Sequence, residues 1–134
     1  MEDLRIKIAA LWLFTGMAYL AYMVLMLMLP GAIEEMLAGG IPELQNPVIM
    51  LTITLTLLIL FIMPFLTLTL KDSINRWVNV ILGIIYAVLE FGALIDIYTH
   101  AQKTYAHIII TTCSKIVATV LIAWYAWKWP KQEA

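Results

Sequence analysis

The chain has 134 residues, 63% of them hydrophobic and 13% charged, against about 45–50% and about 25% in a soluble domain. A water-soluble fold of this length cannot hide that much apolar surface, so the chain reads as an integral membrane protein. Eight Lys and Arg nearly balance nine Asp and Glu, which gives no charge bias toward nucleic acid, and the lone Cys113 excludes an intrachain disulfide or paired-thiol redox motif.

Four apolar runs, 8–29, 48–70, 78–98 and 106–127, are long enough to cross a bilayer as helices, which takes about 20 residues each. Their continuity excludes barrel strands, which alternate apolar and polar residues. Thr52, Thr54 and Thr56 alternate briefly, but they read as hydroxyls bonded to carbonyls of their own helix. The first run follows acidic Glu2 and Asp3 and ends at Leu29-Pro30-Gly31 without an A-x-A pattern, so a retained helix is expected rather than a signal peptide. After it, Ala32 to Ala38 has helical character, with Ile33, Met36 and Leu37 placed to lie on the membrane and Gly39-Gly40 to end the segment. Glu34, Glu35 and Glu43 make this connection acidic, as expected of a solvated loop; a cation-attracting vestibule is the functional alternative.

Pro64 falls inside the second run, where it frees the Leu60 carbonyl and predicts a kink, with Thr67 and Thr69 available to loose backbone groups. The remaining connections are short, which predicts an all-α, up-down-up-down four-helix membrane bundle with sequence neighbours packed together, forming a single domain over 1–134. Displacing the sequence by half its length lays Gly16 and Tyr19 on Gly83 and Tyr86, a trace of a duplicated hairpin.

Basic residues set the expected orientation. Arg5 and Lys7, Lys71 and Arg76, and Lys128 and Lys131 fall in the two tails and the second loop, whereas the first loop has none and the third only Lys103. The positive-inside rule then puts both termini in the cytoplasm of a multi-pass cell-membrane protein. Trp12, Trp77, Trp124, Trp127 and Trp129 gather near the same inner ends, while Tyr98 and Tyr105 mark the outer ones.

Two charges lie deep in the runs, Glu90 in the third and Lys115 in the fourth. Each costs about 2.5–3.5 kcal/mol at the bilayer centre even on the lenient insertion scale, so each needs a partner. Glu90 lies as far from Val78 as Lys115 does from Trp127, about 18 Å of helix rise, which places both at one depth on antiparallel neighbours and predicts that they pair. Tyr86 and Gly83 share the Glu90 face; His107, Thr111, Lys115 and Thr119 recur at four-residue spacing. On the first run Trp12, Thr15, Tyr19, Tyr22 and Met26 recur at steps of three and four, bringing Tyr19 and Tyr22 to the depth of the pair. The expected ligand-binding or ion-pair set is therefore Glu90, Lys115, Tyr19, Tyr22, Tyr86 and Thr111. Asp96, His100 and His107 form an outer group, read as wet titratable residues and an outer entrance for protons rather than a metal site.

Leu11-Trp12-Leu13-Phe14, Pro30-Gly31, Asn75-Arg76-Trp77-Val78-Asn79 with Gly83 and Tyr86, and Trp124-Tyr125-Ala126-Trp127-Lys128-Trp129-Pro130 resemble an uncharacterised prokaryotic family of short four-span membrane proteins, with a looser similarity to DoxX-like proteins. The resemblance implies the four-span architecture over nearly the whole chain and carries no activity or site residues. Small multidrug transporters share the architecture, but their working glutamate lies on the first helix, and here the first run, 8–29, has no acid.

The expected function is a small transporter or ligand-binding membrane protein with a mid-membrane polar site, without cofactor or metal, working as a homo-oligomer on a small-molecule or cation ligand in the lipid bilayer. An enzyme acting on a lipophilic substrate, with Glu90 as acid or base, is one alternative. A structural or accessory subunit is the other. No H-E-x-x-H, P-loop or dinucleotide fingerprint is present, and one histidine within the spans does not make a bis-histidine haem site.

Overall fold

The computed structural model describes residues 2–39, 46–100 and 106–129, with the side chain of His100 excepted. The described residues form five helices: α1 (Glu2–Leu27), a short α2 (Ala32–Leu37), α3 (Pro47–Thr69), α4 (Asp72–His100) and α5 (Ala106–Trp127). All but α2 are long and apolar enough to cross a membrane. The molecule is thus a four-span helical membrane protein.

Local sequence explains where the helices start and stop. At α3 the Asn46 side chain accepts a hydrogen bond from the Val48 N–H at 2.9 Å, with Pro47 in the first turn where its missing N–H costs nothing. Asp72 opens α4 and Glu2 and Asp3 open α1, acids that suit the positive helix end. These polar turns make both helices begin several residues before the apolar runs at 78 and 8, since hydropathy marks the bilayer rather than the helix. Gly31 takes φ +82° between α1 and α2, a left-handed conformation that an L side chain rarely adopts. Gly39 (φ 71°) donates its N–H to the Met36 carbonyl after α2, while Gly40, Glu43, Lys103 and Tyr105 lie outside the described residues.

α1 is the central element, packed on both α3 and α5, and α4 packs along α5. Consecutive α3 and α4 depart from the expected packing of sequence neighbours: their backbones approach at few positions, and side chains join them. The Tyr86 hydroxyl donates to the Thr56 carbonyl at 2.9 Å, and the Asn75 amide donates to the Thr67 carbonyl at 2.6 Å. Glycines permit the close approaches elsewhere. A Cβ on Gly83 would meet the Ala123 backbone nitrogen at 3.0 Å, locking α4 to α5, and one on Gly16 would meet the Phe61 ring of α3 at 3.2 Å.

Large apolar side chains such as Phe14, Leu51, Phe65, Ile84, Phe91 and Val117 lie exposed around the bundle, as lipid contact requires and water would not tolerate. Thr52, Thr54 and Thr56 donate to the carbonyls of Val48, Met50 and Thr52, each at 2.8 Å. Past Pro64, Thr67 and Thr69 turn elsewhere: Thr67 donates to Asn79, and Thr69 to Phe65 and Leu66, not to Leu60.

Candidate functional site

Three helices build the mid-bundle site. In a 3.6-residue helix a face is tracked by alternating steps of four and three. On α5 the buried Ile108, Thr112, Lys115, Thr119, Ile122 and Ala126 follow that rhythm. On α1 Ile8, Trp12 and Thr15 do so, and the same steps lead to Tyr19 and Tyr22. On α4 Gly83, Tyr86 and Glu90 are buried in turn.

Lys115 Nζ lies 3.1 Å from Glu90 Oε2, and these residues are 3% and 4% exposed. The ammonium is also 4.2 Å from the centroids of both the Tyr19 and Tyr22 rings. Lys115 is therefore enclosed by one carboxylate and two aromatic faces. A desolvated contact of this kind contributes about 2 kcal/mol or more per ring at its best. Tyr19 also lies close to the Glu90 carboxylate, so one side chain faces both charges. Glu90 Oε2 accepts no hydrogen bond of acceptable angle beyond this ion contact.

Tyr86 and Thr111 do not join the pair. The Tyr86 ring meets Tyr19 and Trp12 edge-on at 6.3 and 5.7 Å, and its hydroxyl is committed to α3. It therefore braces the site from outside. Thr111 donates to the His107 carbonyl of its own helix at 2.7 Å. The buried residues of α5 centre about 20° to the Thr112 side of Lys115, so Thr111 and His107, about 60° and 100° from that centre, fall aside while Thr112 faces inward. Thr112 is buried, and its hydroxyl has no hydrogen-bond partner.

In the outer group Asp96 is exposed, His107 is partly buried and each has an interaction, while the side chain of His100 lies outside the description. Among the described residues no three His, Cys, Asp or Glu side chains are placed to hold a metal ion.

A second buried polar cluster, at the end of the bundle where α1 begins, is one that the sequence pattern did not single out. Trp12 Nε1 donates to Asn79 Oδ1 at 2.6 Å, Thr67 Oγ1 donates to the same oxygen at 3.3 Å, and Asn79 Nδ2 donates to the Asn75 carbonyl and Oδ1 at 2.8 and 2.6 Å. Beside it, Arg5 donates to the carbonyls of Thr67, Leu68 and Leu70 and pairs with Asp72, so a cation closes the negative end of α3. Arg76 does the same for α5, donating to the Trp127 carbonyl at 3.2 Å while stacking on Trp77 and Trp127. Two carboxamides four residues apart at the start of an apolar helix were the available signal.

Several clefts open elsewhere on the surface. One of about 570 Å³ between α1 and α5, lined by Leu11, Phe14, Cys113, Val117 and Leu121 among others, is almost wholly apolar and excludes the pair. In comparisons with known proteins no family model matches the chain, and neither a curated protein nor a solved structure matches it. The likeness to short four-span proteins therefore identifies no family, and four membrane helices are what stands.

Proposed function

We propose that the protein is a small transporter or ligand-binding membrane protein whose working group is the Glu90–Lys115 pair with Tyr19 and Tyr22, seen in an occluded state. The bundle runs up-down-up-down with both termini cytoplasmic and works as a homo-oligomer, since four helices enclose little volume alone. Arg5, Lys7, Lys71, Arg76 and Lys128 at one end, against Glu34, Glu35 and Asp96 in or beside the opposite connections, support that orientation. One observation carries the functional reading: an ion pair inside the bundle, nearly solvent-free, whose cation lies over two tyrosine rings. An apolar pair of similar volume would hold the helices at no desolvation cost, so intramembrane charges of this kind point to a ligand or ion pathway.

The test uses proteoliposomes under an imposed pH gradient, challenged in turn with tetramethylammonium, methanesulfonate, glucose and benzamide. A solute that discharges the gradient through the wild type but not through folded Glu90→Gln supports the role; discharge by none removes it. A structural role is favoured by the closed packing of the pair. It predicts that Glu90→Leu with Lys115→Met folds and keeps full cellular function.

A further inference from the structure

The residues around Lys115 define what kind of solute the site would take. Nζ touches two ring faces and a carboxylate, the set of contacts that an ammonium ligand seeks in any protein. The Glu90 Oε2 contact is a bare charge contact without a directed hydrogen bond. A quaternary ammonium has no N–H to donate, so ring faces and undirected charge are sufficient to hold it. Lys115 thus occupies, from within the chain, a cage suited to a free organic cation.

Charge balance limits how such a cation can enter. The pair is neutral, and a second cation in so dry a place would stand uncompensated. The titratable groups facing the pair are Tyr19 and Tyr22 from α1 and Tyr86 from α4 through its contact with Tyr19. Further along the same helices come the exposed Asp96 on α4 and the partly buried His107 on α5, while α3 carries no titratable side chain. Lys115 is the group in the cage that can lose a positive charge.

Resting on the transport reading above, we infer that Tyr19, Tyr22 and Glu90 form a binding cage for a monovalent organic ammonium, which enters in exchange for the proton of Lys115. An N–H bond of the Lys115 ammonium breaks and its proton passes to water as hydronium. The neutral amine keeps the electron pair, and the ligand's charge replaces that of Lys115 beside Glu90. Site charge is zero before and after.

Purified protein in proteoliposomes holding an internal pH dye tests this, with labelled tetramethylammonium as the probe because it neither carries a proton nor crosses as a neutral amine. An acid interior is expected to drive its uptake while the interior turns alkaline, and clamping the membrane potential is expected to change nothing, since one charge moves each way. Lys115→Arg keeps a cation in the cage that water does not deprotonate, so exchange falls to the level of protein-free vesicles. Tyr22→Leu removes one ring and raises the half-saturating concentration about tenfold or more. Uptake that follows the potential rather than the pH gradient, or undiminished exchange by Lys115→Arg, overturns the inference. If methanesulfonate, glucose or benzamide discharges the gradient through Glu90 while tetramethylammonium stays inert, the cage assignment falls and the transport reading stands. If no solute does so, both fall.

Discussion

The two buried polar clusters differ in how completely they are satisfied. At the end of the bundle, Trp12, Thr67, Asn75 and Asn79 exchange neutral hydrogen bonds at 2.6–3.3 Å around carboxamides that are fully buried. At mid-depth, the partners are full charges, one carboxylate oxygen lacks a directed hydrogen bond, and the nearby Thr112 hydroxyl lacks one too. A closed set of neutral bonds fixes helices at little risk. A charged set with spare bonding capacity is less completely satisfied, and on the proposed function that capacity is what a ligand uses.

The largest expected effect comes from splitting the mid-depth pair. Glu90→Ala strands a buried cation and should lower stability by about 3–5 kcal/mol, whereas Glu90→Leu with Lys115→Met should recover most of it. Thermal denaturation in detergent checks both, and a double variant as unstable as the single would mean that the pair itself holds the bundle. Next comes Gly83→Ala, which drives a methyl into the Ala123 backbone at 3.0 Å and should cost about 1–3 kcal/mol by prising α4, and Glu90 with it, from α5. Gly16→Ala meets only the edge of the Phe61 ring, which can turn, so its melting temperature should fall less.

Asn79→Leu leaves Trp12 Nε1, Thr67 and Asn75 short of partners, at a cost of about 1–3 kcal/mol. Any solute-driven discharge of a pH gradient should survive it. Loss of discharge by a folded Asn79→Leu protein would erase the distinction between scaffold and site. The smallest effect is expected from Tyr86→Phe, which removes one hydrogen bond to α3 at about 0.5–1.5 kcal/mol and leaves both rings around Lys115 in place.

The spans and the meeting of Glu90 with Lys115 were legible because both follow from rise per residue: matched distances from the ends of their apolar runs put the two charges at one level. Tyr19 and Tyr22 were legible for a related reason, lying on a seam whose three-and-four steps follow the helix period. Thr111 was chosen over Thr112 by a strict spacing of four, which the helix does not keep. The Asn75–Asn79–Thr67 cluster escaped because carboxamides and hydroxyls near helix ends are ordinarily exposed, and only tertiary packing buries these. The separation of α3 from α4 was also hidden, since a short connection says that two helices are antiparallel and does not say that they touch along their length.

Arg5 latches the folded bundle and, on the proposed orientation, would also act while the protein is made. As a chain enters the membrane, a positive charge beside the first helix is a signal for which way to insert. Once folded, the same guanidinium is a latch spread over three carbonyls of α3 and the Asp72 carboxylate. Arg5→Lys separates these roles. A lysine is counted equally in choosing the orientation, but a single ammonium lacks the planar fork that spans several acceptors. Membranes carrying that variant should therefore hold correctly oriented copies whose α3 closes late or incompletely, so that biogenesis fails at assembly and not at insertion.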